Sequence, residues 1–138
     1  MIFVARAHWE GSLKNGKGTL TTVCGDQKKR KNTLFSFLQP EPTDSDPEEL
    51  FVATHAGCFT MTVCSLLTKR GLDPKVLDTE VTATLGNSGI TNLHLFVRGY
   101  VQGLDADNFT AITKDAERNY MISKILRVPV STEAKLEM

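Results

Sequence analysis

Asp46-Pro47-Glu48-Glu49-Leu50-Phe51-Val52-Ala53-Thr54-His55-Ala56-Gly57-Cys58-Phe59, running on to Lys69-Arg70-Gly71, is the stretch on which the fold turns. Asp46 is a good N-cap, because its carboxylate can accept from the free N–H groups of a first helical turn. Pro47 suits the first helical position, where a missing N–H costs nothing. Glu49 stands three residues after the cap, as in a capping box. Lys69 and Arg70 favour the negative end of a helix, and Gly71 supplies the stop. The spacing predicts one helix from Pro47 to about Lys69. Its apolar residues, among them Leu50, Val52, Ala56, Phe59, Val63 and Leu67, surround the axis and do not form a stripe. Such a helix needs cover on most sides, and a sheet wrapped around it is the simplest cover.

Strand patterns flank it. Upstream, Phe3, Ala5, Ala7 and Trp9 alternate with more polar neighbours. Asn15-Gly16 readily takes the positive φ angles of a hairpin turn, after which Gly18–Cys24 returns as a Thr-rich strand. Gly25–Asn32, holding Lys28-Lys29-Arg30-Lys31, reads as a second turn before a short strand at Thr33–Leu38. Gln39–Asp46, with Pro40 and Pro42, reads as a loop. Downstream, Leu77, Thr79, Val81, Ala83 and Leu85 alternate, Gly86–Gly89 turns, and Ile90–Val101 returns. Gly103-Leu104-Asp105 opens a second helix over about Ala106–Tyr120, with Phe109, Ile112 and Ala116 on one face. Ile122–Leu126 predicts a further helical turn, and Val128, Val130, Thr132, Ala134 and Leu136 alternate as a last strand. The order β-β-β-α-β-β-α-β predicts an α+β fold of antiparallel hairpins, in one domain over residues 1–138.

Composition narrows the function. The chain of 138 residues and 15.2 kDa balances 16 Lys and Arg against 16 Asp and Glu, so no global field attracts nucleic acid or an anionic membrane. The basic run at Lys28–Lys31 reads as a solvated hairpin tip. No apolar stretch approaches the ~20 residues of a membrane span, and the Met1–Val4 run is too short for a signal peptide. These features predict a cytoplasmic protein. Cys24, Cys58 and Cys64 are too few and too irregular for a disulfide scaffold or zinc site, and His8, His55 and His94 are scattered. Gly16 and Gly18 sit in a hairpin with no helix after them, so a phosphate loop is not expected. The expectation is a protein without metal or organic cofactor, in which thiol chemistry remains.

Cys58 is the thiol to consider. Its structural alternative is a small core hydrophobe. His55 is three residues earlier on the same helical face, where an imidazolium would favour thiolate; the other reading, which the sequence favours, is a satisfied helix histidine. Gly57 could break the helix and hand Cys58 to a fresh helix N-terminus, whose dipole lowers a thiol pKa. Cys64, six residues on, is turned about 120° away and raised ~9 Å on an ideal helix, which makes it a core residue, as Cys24 is in its strand.

Trp9-Glu10-Gly11, Lys17-Gly18, Asp46-Pro47-Glu48-Glu49-Leu50-Phe51, His55-Ala56-Gly57-Cys58-Phe59 and Ala116-Glu117 through Ser123-Lys124 occur in the order found in the OsmC/Ohr family, the osmotically inducible and organic hydroperoxide resistance proteins. The chain resembles that family over nearly its whole length. The resemblance implies an intertwined homodimer with sheets around central helices, and thiol peroxidase activity on organic hydroperoxides without a cofactor. It assigns Cys58 as peroxidatic cysteine and Glu48 as the glutamate beside it. Two family positions differ: the arginine's strand reads Phe37-Leu38-Gln39 here, and Tyr120 stands at the place of the resolving cysteine. An oxidised Cys58 would then need an external thiol, small or protein-borne. On a straight helix Glu48 lies ~15 Å from Cys58, so it reaches the thiol only across a helix break or from a partner subunit. The alternative function is a dimer that keeps the interface pocket for a small hydrophobic ligand.

Overall fold

Alternation in the N-terminal segment sets which side of the sheet is buried. In a computed structural model, which describes residues 2–23, 29–33, 47–87, 89–125 and 128–137, Ile2–Glu10 forms β1. Phe3, Ala5, Ala7 and Trp9 are buried on its inner side, while Arg6, His8 and Glu10 project from the other. β2 (Lys17–Val23) returns antiparallel, opposing Gly18 to Trp9 and Val23 to Val4. β3 (Lys29–Thr33) extends the sheet beyond β2. Lys29, Arg30 and Lys31 therefore lie on an edge strand, and not in the turn that their charge and polarity predict. Of the expected strand at Thr33–Leu38 only Thr33 is among the described residues, and Cys24, Leu38 and the loop to Asp46 lie outside them.

β4 (Val76–Gly86) and β5 (Gly89–Tyr100) form the second hairpin. β6 (Val130–Glu137) then pairs parallel to β5, which makes the sheet mixed. The parallel pair follows from the helix between those strands, since a parallel return needs a long crossover. The six strands run in the order β3-β2-β1-β4-β5-β6.

Both helices cover the inner side. α1 (Pro47–Lys69) runs 23 residues without interruption and packs on β1, β2 and β4. Residues Leu50–Lys69 are long and apolar enough to cross a membrane, contrary to the reading of the sequence. Val52, Ala53, Ala56, Phe59, Val63 and Leu67 are instead consumed by the core against the sheet. α2 (Ala106–Asn119) begins at Asp105, whose side chain accepts from the Asn108 N–H at 2.7 Å. Phe109, Ile112 and Ala116 bury one face of α2 against α1 and the β5–β6 edge of the sheet. The close approach is made at Gly99 of β5, where a Cβ would stand 2.6 Å from the Phe109 ring. After α2, Met121–Ile125 forms a short 3-10 turn.

Candidate active site

The position of Cys58 on α1 follows from which flank the sheet leaves open. One side of the helix is sealed into the core by Val52, Ala56, Phe59, Val63 and Leu67. Phe51, Thr54, Cys58, Met61 and Ser65, spaced three or four residues apart, share the flank that stays partly exposed. Cys58 is half-buried on this flank, with its thiol pushed above its ordinary pKa by burial. Cys64 is fully buried, as its place on the helix predicts. Cys24 lies outside the described residues.

His55 stands three residues before Cys58 on α1 and takes the buried place of a helix histidine. It is fully buried, and burial lowers its pKa from 6.5 to about 4. At neutral pH it is an uncharged imidazole and cannot act as the cation that would favour thiolate. Its Nδ1 lies 2.9 Å from the Tyr120 hydroxyl, while its buried Nε2 has no hydrogen-bond partner among the described residues. The Phe51 ring meets it edge-on at 4.7 Å between centroids.

Tyr120 arrives from the far end of α2. The helix ends there because Tyr120 takes an extended conformation while its N–H still bonds to the Ala116 carbonyl at 2.9 Å. This turns the ring, which is fully buried, onto α1. It sits edge-on to His55 at 5.5 Å and to Phe59 at 5.8 Å, spanning one turn of α1. Burial raises the phenol pKa strongly, and the charges of Cys58 and Glu117 add to that rise.

Two expectations about activation are corrected. α1 continues through Gly57, so Cys58 does not face a fresh helix N-terminus. Tertiary packing on both sides of Gly57 outweighs its weak helix propensity. The same continuity keeps the Glu48 backbone, in the first turn of α1, about 15 Å along the axis from Cys58 within one chain. The Glu48 side chain lies outside the described residues, as does Leu38. The His55–Tyr120 bond joins residues 65 apart and leaves no local signal in the sequence.

Other ionisable groups lie across the sheet from Cys58. His8 bonds to Asp78 and Glu10; partial burial opposes its protonation, but the two carboxylates outweigh that and leave its pKa raised. Arg6 pairs with Glu80 at 2.8 Å. Arg6, His8, Asp78 and Glu80 line a cleft of ≈ 490 Å³ with Phe96 and Arg98. Among the described residues, no three His, Cys, Asp or Glu side chains are grouped to hold a metal ion.

Comparison with known proteins agrees with the architecture. The family model for OsmC-like protein matches residues 41–135. The chain is 31% identical over 136 residues to the protein named Peroxiredoxin OsmC of Escherichia coli (strain K12), covering 96% of this chain and 94% of the relative. Among solved structures, an OsmC-like protein from Mycoplasma pneumoniae superposes with a TM-score of 0.63 at 10% identity, over 94% of this chain and 96% of the other. The organic hydroperoxide resistance protein OhrB of Bacillus subtilis superposes with a TM-score of 0.51 at 20% identity, over 96% and 97%.

Proposed function

This chain belongs to the OsmC-like family, and on that premise we propose that it is a single-domain cytoplasmic thiol peroxidase that reduces organic hydroperoxides at Cys58. The observation that carries the reading is the setting of Cys58. Of the two described cysteines it alone reaches the surface, on a partly exposed flank of α1 that also carries Phe51 and Met61. The name of the Escherichia coli relative supports the same chemistry.

The reaction divides into two halves. The Cys58 thiolate attacks the distal oxygen of ROOH, the O–O bond breaks, and the sulfur keeps the hydroxyl as a sulfenic acid. The alkoxide leaves and takes up a proton to become ROH. An external thiol then condenses with the sulfenic acid, releasing water and leaving a mixed disulfide. A second external thiol attacks that disulfide and frees Cys58. Tyr120 cannot replace the external thiol, because a phenol forms no disulfide. Phe51 and Met61 beside Cys58 favour an organic peroxide over hydrogen peroxide, since the substrate's carbon skeleton gains by leaving water.

The proposal includes a homodimer. A second copy laid on the open flank would cover Phe51 and Met61, and its Glu48 could approach Cys58 across the interface, which the continuous α1 prevents within one chain. Stopped-flow mixing of reduced protein with cumene hydroperoxide tests the reading. Consumption should be faster than with hydrogen peroxide and should vanish in Cys58→Ser. The elevated thiol pKa in the single chain favours the second reading, a dimer that binds a small hydrophobic ligand. Consumption no greater than in Cys58→Ser would select it.

A further inference from the structure

The outer side of the sheet carries two rows of side chains across β1, β4 and β5. His8, Asp78 and Arg98 stand opposite one another in one row, and Arg6, Glu80 and Phe96 in the next. All six line the cleft of ≈ 490 Å³. Opposite charges facing each other across strands attract, so each carboxylate has a choice of neighbours. Both have turned toward β1: Asp78 bonds to His8, and Glu80 accepts from Arg6 at 2.8 Å. Arg98 is left over. Its neighbour on the other side is Lys135 of β6, a like charge that pairs with Glu137 at 3.6 Å. Among the described residues no carboxylate pairs with Arg98, and its guanidinium lies over the Phe96 ring, 5.3 Å from the centroid.

A guanidinium held on an aromatic ring, with its N–H fork unclaimed beside a cleft, calls for an acceptor from outside the chain. We propose that this cleft binds a small organic carboxylate, which Arg98 holds through paired N–H groups while Phe96 lies against the ligand's apolar body. The fork matches a carboxylate, which takes two parallel hydrogen bonds from it. Asp78 and Glu80 in the same walls repel further negative charge, so a monoanion is preferred to a dianion such as phosphate. The cleft falls within the roughly 300–1,000 Å³ of small-molecule sites, which leaves room for a ring or short chain beside the carboxylate. Stacking on Phe96 already restrains the arginine, so less side-chain freedom is lost on binding. Arg98 is exposed, and water weakens the pair, which sets the expected Kd near about 1 mM. The site lies on the opposite side of the sheet from Cys58 and needs no thiol chemistry.

Titration of the isotopically labelled protein with benzoate, followed by NMR, tests the site. Backbone amides of β1, β4 and β5 around Arg6, Glu80, Phe96 and Arg98 should shift and saturate. Benzamide, the same ring without the charge, and inorganic phosphate should each bind about tenfold more weakly. Arg98→Gln should weaken benzoate about tenfold, and Arg98→Lys, which keeps the charge and loses the fork, about threefold. Arg118→Gln removes an exposed arginine at the end of α2 and should leave binding unchanged. Both arginines are exposed, so these variants should fold as the wild type does. Wild-type affinity in Arg98→Gln overturns the proposal, as do shifts confined to Phe51–Met61 of α1. An equal loss in Arg118→Gln reduces the effect to unspecific charge and overturns it too. Phosphate or benzamide binding as tightly as benzoate overturns the carboxylate assignment. Cys58→Ser should bind benzoate unchanged, so this site and the peroxidase reading stand or fall separately.

Discussion

Gly99→Ala tests whether α2 is seated on the sheet by a missing side chain. A Cβ at Gly99 would stand 2.6 Å from Cζ of Phe109 and 3.1 and 3.2 Å from the two adjoining ring carbons. Phe109 is itself fully enclosed between α2 and the sheet, so its ring has no open space into which to swing. Either the ring leaves its preferred rotamer or α2 lifts from β5. Overpacking of this kind costs about 1–3 kcal/mol. Replacing a strand glycine returns about 0.5–1 kcal/mol by restricting the unfolded chain. The net expectation is a loss of roughly 1–2 kcal/mol, or several degrees in Tm for a domain of this size. Urea unfolding of Gly99→Ala, Phe109→Leu and the double variant measures it. Leucine gives the new methyl room, so the double variant should lose about 1 kcal/mol less than the two single losses combined. Additive losses, or a neutral Gly99→Ala, would refute the seating argument.

Sedimentation at micromolar concentration should show about twice 15.2 kDa, and a stable monomer there would remove the shared interface and the partner's Glu48 from the proposal. His55 makes stability depend on pH with a definite sign. Its pKa is about 4 folded against 6.5 unfolded, so between those values the unfolded chain binds more protons and stability falls as pH falls. The loss across that window is about 3 kcal/mol, and His55→Asn should abolish most of it in urea melts. His8, with a raised pKa, gives its stabilisation in full below its unfolded value and adds no slope in that window. One equivalent of organic peroxide should leave a sulfenate at Cys58, or a mixed disulfide when thiol is added, with Cys64 unmodified until the protein unfolds; a Cys24–Cys58 disulfide would show that the chain supplies its own resolving thiol.

The fold was legible wherever local chemistry and burial agree. The ends of α1 are written in Pro47 and in Lys69-Arg70-Gly71, and those of α2 in Asp105. β1 and β4 alternate because one side of each faces the core and the other faces water. Lys29-Arg30-Lys31 misled because charge on an edge strand resembles charge in a turn, and edge strands tolerate lysine well. The parallel pairing of β6 is set by how α2 crosses the sheet, which alternation along Val130–Glu137 does not encode.

The places of His55 and Cys58 on α1 were legible in the sequence, and their electrostatics were not. Helical spacing correctly puts His55 and Cys58 on neighbouring positions of one turn, but adjacency says nothing about protonation. Enclosure, with Phe51 and Tyr120 edge-on to the ring, removes the water that would hydrate an imidazolium, so His55 is neutral and the helix-histidine reading of it holds over that of a thiolate partner. Gly57 likewise signals weakness in an isolated helix, yet packing on the sheet holds α1 straight and keeps its own Glu48 from its own Cys58. Burial alone would then disfavour the thiolate. Under the proposed function, whatever ionises Cys58 must therefore act from the partly exposed flank of α1, which a second copy would cover.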